Sequence, residues 1–231
     1  MLFRQLIDTE THTYSYLLAD QNTGEGIIID PVITHVTKYL QLLNELGIQL
    51  TVSIDTHTHA DHITAASTLK AETGCMIIQG KESPAKGISR HISEGECIEF
   101  GQHALKAIHT PGHTPDSYSY FLASGSEPKV FTGDTLLIRG TGRTDFQEGS
   151  CTLQYESLFN KLLQLPEETA VYPGHDYKGW TVSTIAEEKR HNPRLQVNSI
   201  NEYKEIMDNL NLAPPKMITT ALPANLNCGG S

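Results

Sequence analysis

The sequence predicts an α/β fold in which two β-sheets pack face to face and helices cover their outer faces. Three observations carry the prediction. Strand-like segments come in two batches along the chain, each followed by helix-like segments, and elements with one apolar face must bury it against another layer. Four apolar strands end at a His or Asp, so one edge of the layered structure gathers polar ligand-type side chains. The length of 231 residues suits one domain whose core needs no disulfide or structural metal.

The elements follow in order. The first thirty residues read as strands: Thr13 to Leu18 alternates, and Gly26-Ile27-Ile28-Ile29 runs into Asp30-Pro31, which stops it. Thr34 to Leu46 reads as a helix, with Val36, Tyr39, Leu40 and Leu43 on one face, Thr34 as N-cap and Gly47 closing it. A strand from Leu50 to Asp55 ends at a histidine cluster, and a helix over about His62 to Thr73 precedes Gly74 and a strand from Cys75 to Ile78. The second batch of strands is Cys97 to Phe100, His103 to His109, Ser117 to Leu122 and Lys129 to Phe131. A Gly- and Arg-rich loop (Arg139 to Gly149), a helix near Leu153 to Leu163 and a strand from Ala170 to Tyr172 come next. Helices near Trp180 to Arg190 and Glu202 to Asn209 complete the order, and the ending Pro-Ala-Asn-Leu-Asn-Cys-Gly-Gly-Ser reads as irregular. With no linker or low-complexity segment, residues 1–231 are expected to form one domain with a short C-terminal helical extension.

The formal net charge of -10 repels phosphate backbones and disfavours nucleic acid as a partner. Cys75, Cys97, Cys151 and Cys228 form no C-x-x-C pair, which argues against a zinc knuckle or a disulfide scaffold and suits a reducing compartment. The start, Met1 to Leu6, lacks a basic stretch leading into an apolar core. No apolar run approaches the roughly 20 residues that span a bilayer. A cytoplasmic location without membrane contact is expected.

The strongest chemical signal is His57, His59, Asp61 and His62 within Thr56-His57-Thr58-His59-Ala60-Asp61-His62, directly after an apolar strand. Imidazole and carboxylate are ligands for Zn, Fe, Mn or Ni. An extended chain puts His57 and His59 on one side, and the turn that follows brings in Asp61 and His62. A merely polar loop is the bland alternative, and three histidines with an aspartate behind a buried strand argue against it. Three further segments repeat the design: His109-Thr110-Pro111-Gly112-His113-Thr114, Phe131-Thr132-Gly133-Asp134 and Val171-Tyr172-Pro173-Gly174-His175-Asp176. Glycine beside each ligand lets the backbone turn tightly. Singly each segment is an ordinary turn; in this order they reinforce one another.

The order T-H-x-H-x-D-H, P-G-H-T, G-D and a late G-H over residues 57 to 175 resembles the metallo-β-lactamase superfamily signature. The resemblance implies an αββα sandwich of two mixed β-sheets flanked by helices, with a metal at one sheet edge. It leaves the reaction open among thioester hydrolases, lactamases, nucleases, flavoprotein oxygen reductases and iron dioxygenases. Further segments narrow it: Leu137 to Gln147 (LIRGTGRTDFQ), His62-Ile63-Thr64, His175-Asp176-Tyr177, Asn192-Pro193-Arg194-Leu195 and Pro223-Ala224-Asn225 resemble the glutathione persulfide dioxygenases, or sulfur dioxygenases. Thr141 stands where that family leads one to expect cysteine, and Lys178 where histidine can occur; neither departure touches a ligand motif.

The resemblance implies one Fe(II) per chain held by His57, His113 and Asp134, the catalytic centre. Such a facial triad leaves three adjacent positions for water, O2 and substrate. His59, Asp61, His62 and His175 would then orient and tune the ligands. In the alternative, a dinuclear thioester hydrolase of the glyoxalase II type with Zn available to it, His57, His59 and His113 hold one ion. Asp61, His62 and His175 hold the other, and Asp134 bridges. All seven side chains are present, so the ligand inventory allows both. Against the hydrolase, Ala65-Ala66 replaces a Gly-Gly-like pair, and the region after His175 is short for a helical substrate domain.

The activity implied is oxidation of glutathione persulfide by O2 and water to sulfite and glutathione. Glutathione persulfide is anionic, so an acidic protein must gather cations for it. Arg143, Lys178 and Arg194 are the candidates, with Tyr177 as a hydrogen-bond donor; for each, a solvated surface role is the alternative. A homodimer is compatible with this reading. His12, His35, His91, His103, His109 and His191 read as surface or ordinary core residues, Trp180 as the start of a helix packing its core face, and Cys228 as a tail cysteine.

Overall fold

Consecutive strands lie side by side in two six-stranded sheets. The computed structural model describes residues 1–124, 127–213 and 217–230. The first sheet contains β1 (Leu2–Asp8), β2 (Thr13–Ala19), β3 (Glu25–Ile29), β4 (Gln49–Ile54), β5 (Met76–Gly80) and β6 (Arg90–Ile92). The second contains β7 (Cys97–Phe100), β8 (His103–His109), β9 (Tyr118–Leu122), β10 (Lys129–Gly133), β11 (Ala170–Pro173) and β12 (Ser183–Thr184). Both are mixed. β1 to β3 run antiparallel and β3 to β6 parallel; in the second sheet only β10 and β11 pair in parallel.

Apolar side chains from both sheets meet in the middle: Leu18, Ile27, Ile54 and Ile78 pack with Leu105, Tyr120, Leu122 and Phe131. Along β3 the next residue, Ile28, points the other way. It packs with Leu17, Leu50 and the helix α1 (Val36–Leu46), whose Tyr39 and Leu43 are buried. A strand covered on both faces needs an unbroken apolar run, which explains Gly26-Ile27-Ile28-Ile29. The second sheet is covered likewise: Val130 and Val171 pack under α3 (Cys151–Phe159), α4 (Ile185–His191) and α5 (Ile200–Asp208) through Leu158, Ile185 and Tyr203. The αββα expectation is borne out.

Four local expectations are corrected. Ile33–His35 forms a 3-10 turn, so α1 begins at Val36 and Thr34 does not cap it; Gly47 closes the helix in the left-handed conformation (φ 63°) as expected. The next helix, α2 (Ala66–Thr73), begins four residues after His62. The Asn225 amide bonds the carbonyls of His59 and His62 at 2.8 and 2.7 Å, taking acceptors that a helix would use. Trp180 starts no helix and is half exposed; its N–H is held by Asp176 and its carbonyl by the Tyr14 hydroxyl, while α4 starts behind the Thr184 cap. The C-terminal segment is not a plain tail: α6 (Ile218–Asn225) includes Pro223, and Cys228 is fully buried against Ala66, Ile77 and Ala85. Ser231 lies outside the described residues. Among the described residues no helix is long and apolar enough to cross a membrane.

Candidate metal centre

The site forms where strands of both sheets end. After β4 the chain runs as an irregular loop from Asp55 to His62. Asp30, just after β3, holds that loop: its Oδ1 accepts from the Thr56 N–H (2.7 Å) and its Oδ2 from the Thr56 hydroxyl (2.9 Å). His57 lies with its Nδ1 3.0 Å from Thr56 Oγ1. Beyond β8, Gly112 (φ 143°) lets the chain pass against the backbone of Gln154, where a Cβ would collide. His113 follows and donates from Nδ1 to the carbonyl of Arg143 at 2.7 Å. Its Nε2 is thereby left facing Asp134 Oδ2 at 3.6 Å. Asp134 follows Gly133, itself at φ 49°.

Ligand atoms of His57, His113 and Asp134 all lie within 4.8 Å of one another. The His57 and His113 rings are nearly perpendicular, 84° apart with centroids at 4.9 Å. Burial, reinforced by the neighbouring His59 and His113, lowers the His57 pKa well below its ordinary value, so it is the neutral imidazole a metal requires. Two imidazoles and one carboxylate converging on one point fit a divalent transition metal such as iron.

The other motif residues stand around this trio. His175, at the end of β11, is bonded through Nδ1 to Asp134 Oδ1 and through Nε2 to Asp61 Oδ2, both at 2.7 Å. Burial opposes charge on His175, yet the two carboxylates outweigh it and raise its pKa well above the ordinary value. Burial likewise works against ionised Asp134 and Asp61, but the neighbouring imidazoles, His175 foremost, outweigh it, and both pKa values fall below the usual carboxylate range. His59 bonds Asp30 through Nε2 at 3.0 Å. Burial opposes its protonation, and Asp30 reverses this, raising the pKa to about 9. His59, Asp61 and His62 form a second converging set, and Asp30, Asp55 and His59 a third. Among the described residues, His59 Nδ1 and His62 Nε2 are buried with no hydrogen-bond partner. An unmatched buried polar group costs about 1–3 kcal/mol.

A cavity of about 810 Å³ opens beside His113 and Asp134, with His57 buried behind them, and all four residues expected to bind substrate line it: Arg143, Tyr177, Lys178 and Arg194. The Arg143 fork is engaged within the protein: Nε and Nη2 meet Asp145 at 2.6 and 2.7 Å, and Nη1 donates to the Ala213 carbonyl. Arg194 donates from Nη1 to the carbonyl of Thr141. The exposed Tyr177 ring is parallel to His175, with centroids 6.1 Å apart. His12, expected to be a surface or ordinary core residue, is exposed and also lines the cavity, 5.1 Å from the Tyr177 ring. The sequence reading took Asp30 only as a strand stop, Thr13 as a strand start and Asn225 as part of a family-like ending, and it passed over Asp116, whose carboxylate holds Thr58. An Asp before Pro at a strand end was the one available signal for Asp30.

Residues 8–175 match the family model of the metallo-beta-lactamase superfamily. The chain belongs to that superfamily. Persulfide dioxygenase ETHE1 of Mus musculus is 44% identical over 230 residues, which is 99% of this chain and 89% of that protein. The crystal structure of ETHE1 from Myxococcus xanthus superposes with a TM-score of 0.95 at 49% identity, covering 99% of this chain and 100% of that one. Within the superfamily the chain therefore belongs with the persulfide dioxygenases. A probable hydroxyacylglutathione hydrolase of Schizosaccharomyces pombe is 35% identical over 193 residues, 83% of this chain and 72% of that protein. The resemblance read from the sequence is borne out.

Proposed function

We propose that this protein is an Fe(II)-dependent persulfide dioxygenase, converting glutathione persulfide, O2 and water to glutathione and sulfite. The observation that carries the proposal is full-length similarity to persulfide dioxygenases in a chain whose His57, His113 and Asp134 converge on one point. One Fe(II) at that point would couple the electrons of the persulfide to O2. The protein's part is binding and orientation. Arg194, Lys178 and Tyr177 line the cavity where an anionic tripeptide fits, and Arg143 joins them once its fork leaves Asp145. Leu137, Ile138, Phe146 and Leu212 supply apolar wall around the reacting sulfur. His175, between Asp134 and Asp61, fixes the orientation of the Asp134 carboxylate.

The proposal treats residues 1–231 as one domain with a helical C-terminal extension. It gives the protein a cytoplasmic setting, which its four free cysteines support. The test is anaerobic purification, metal analysis and oxygen-electrode assay with glutathione persulfide. About one iron per chain, O2 uptake and sulfite release are expected. Two metals per chain, no O2 uptake and rapid hydrolysis of S-lactoylglutathione would replace the proposal with the dinuclear thioester hydrolase.

A further inference from the structure

The Thr56 hydroxyl sits between a carboxylate and an imidazole. Its Oγ1 is 2.9 Å from Asp30 Oδ2 and 3.0 Å from His57 Nδ1. A hydroxyl has one proton to give, and an ionised carboxylate only accepts. The Thr56 proton therefore goes to Asp30, and the hydroxyl oxygen accepts from His57 Nδ1–H. The reverse arrangement would turn a hydroxyl lone pair toward Asp30 Oδ2 inside a sealed site, where Asp30, Thr56 and His57 are only 1%, 1% and 3% exposed. We infer that Asp30, acting through the Thr56 hydroxyl, is a positioning residue that fixes His57 in the tautomer whose Nε2 lone pair is free to bind metal. The inference rests on the reading of His57 as a metal ligand.

Three further features hold the relay in place. The Thr56 N–H donates to the second Asp30 oxygen at 2.7 Å, so the carboxylate grips residue 56 at two points. Gly133, next to Asp134, packs on the hydroxyl so closely that a Cβ there would lie 2.6 Å from Oγ1. Asp30 itself adopts a left-handed backbone (φ 49°), held by its N–H to the Ile54 carbonyl and by Ser15 Oγ to its own carbonyl. A non-glycine residue keeps such a conformation only where its surroundings enforce it. The His113 ring receives the same tautomer by a different route, its Nδ1–H bonded to the Arg143 carbonyl. Both imidazoles are thus prepared to offer Nε2 before an ion arrives.

The test compares Thr56→Val, which keeps the shape and removes the hydroxyl, with Thr56→Ser, which keeps the hydroxyl. Asp30→Asn is included because its amide can donate to Thr56 and so turn the hydroxyl proton toward His57. The probe is Co(II), its affinity measured by chelator competition on the loaded full chain. Thr56→Val and Asp30→Asn are expected to lose about 10–100-fold in affinity, and Thr56→Ser to retain it. 15N shifts of His57 in the metal-free full chain are expected to show Nδ1–H in wild type and a shifted tautomer ratio in Thr56→Val. Wild-type Co(II) affinity in Thr56→Val, or Nε2–H in wild type, would overturn the inference. Wild-type affinity in His57→Ala would instead overturn the reading of His57 as a ligand.

Discussion

His175 Nδ1 lies 2.7 Å from Asp134 Oδ1, the carboxylate oxygen opposite the one that faces His113. The same imidazole spends its other nitrogen on Asp61. A ring that donates from both nitrogens has no lone pair left for an ion, and the proposed function has His175 act on Asp134. His175→Ala is expected to weaken iron binding by about 10–100-fold while leaving the stoichiometry unchanged. Asp134→Ala and His113→Ala are expected to abolish iron retention, whereas His59→Ala keeps measurable iron. Metal analysis of the anaerobically purified variants decides; equal loss from His59→Ala and His113→Ala would make His59 a ligand and favour the dinuclear arrangement.

The two cavity arginines differ in their freedom to meet substrate. Arg194 makes its bonds from one terminal nitrogen, to Thr141, whereas Arg143 is clamped by Asp145. Loss of a hydrogen bond to a charged group costs about 1.5–3 kcal/mol, or roughly ten- to a hundredfold in affinity. Arg194→Ala is therefore expected to raise KM by that factor with little change in kcat and none in iron content. Asp145→Ala is expected to lower KM by releasing the Arg143 fork to a substrate carboxylate. Steady-state kinetics check both. A KM unchanged in both variants would show that neither guanidinium meets the glutathione end.

Gly174 is packed against Asp134, the carboxylate of the proposed metal site. A Cβ there would stand 2.7 Å from Asp134 Oδ1, an oxygen already held by His175. The short, anchored carboxylate cannot yield without leaving its place in the trio. Gly174→Ala is thus expected to reduce bound iron while the far-ultraviolet circular dichroism stays that of the wild type. Gly140→Ala, whose added carbon would find its nearest neighbour at 3.9 Å, serves as the control and is expected to keep its iron. Full iron occupancy in Gly174→Ala would show that Asp134 can retreat and still bind.

Where a structural cause is local, the sequence displayed it. Cys97–Phe100 and His103–His109 were read with the bounds the strands have, because a hairpin writes its alternation into adjacent residues. The ligand motifs were legible for the same reason, each being a strand end with a turn behind it. The start of α2 was not, since it is set by Asn225 from the far end of the chain. Trp180 was misread because Asp176 and Tyr14 hold its backbone open. The role of Asp30 depends on Thr56 and His59 from the loop after another strand, a pairing that no local pattern encodes. The ion pair between Arg143 and Asp145 was close in sequence, but spacing alone does not say which partner an arginine takes.

The loop that carries Arg143 is tied to the second sheet through Glu188, a fully buried carboxylate. Glu188 accepts from the backbone N–H of Arg139 at 2.9 Å, from the Asn192 amide at 2.9 Å and from Ser183 Oγ at 2.6 Å, and it pairs with the Arg139 guanidinium. Arg139 itself sits at φ 56°, a backbone state that the network enforces. Four residues on is the carbonyl that orients His113, so the network supports the metal site as well as the fold. Removing one partner of a buried pair costs about 3–5 kcal/mol, and the Arg139 side chain, 22% exposed, recovers some solvation. Glu188→Ala is therefore expected to fall near the lower end of that range in urea unfolding, and to raise KM by loosening the loop. Glu188→Gln, which keeps one carbonyl acceptor, is expected to lose less. An unfolding midpoint unchanged in Glu188→Ala would show that the loop is anchored by its other contacts, chiefly the Asn192 amide on the Gly140 carbonyl.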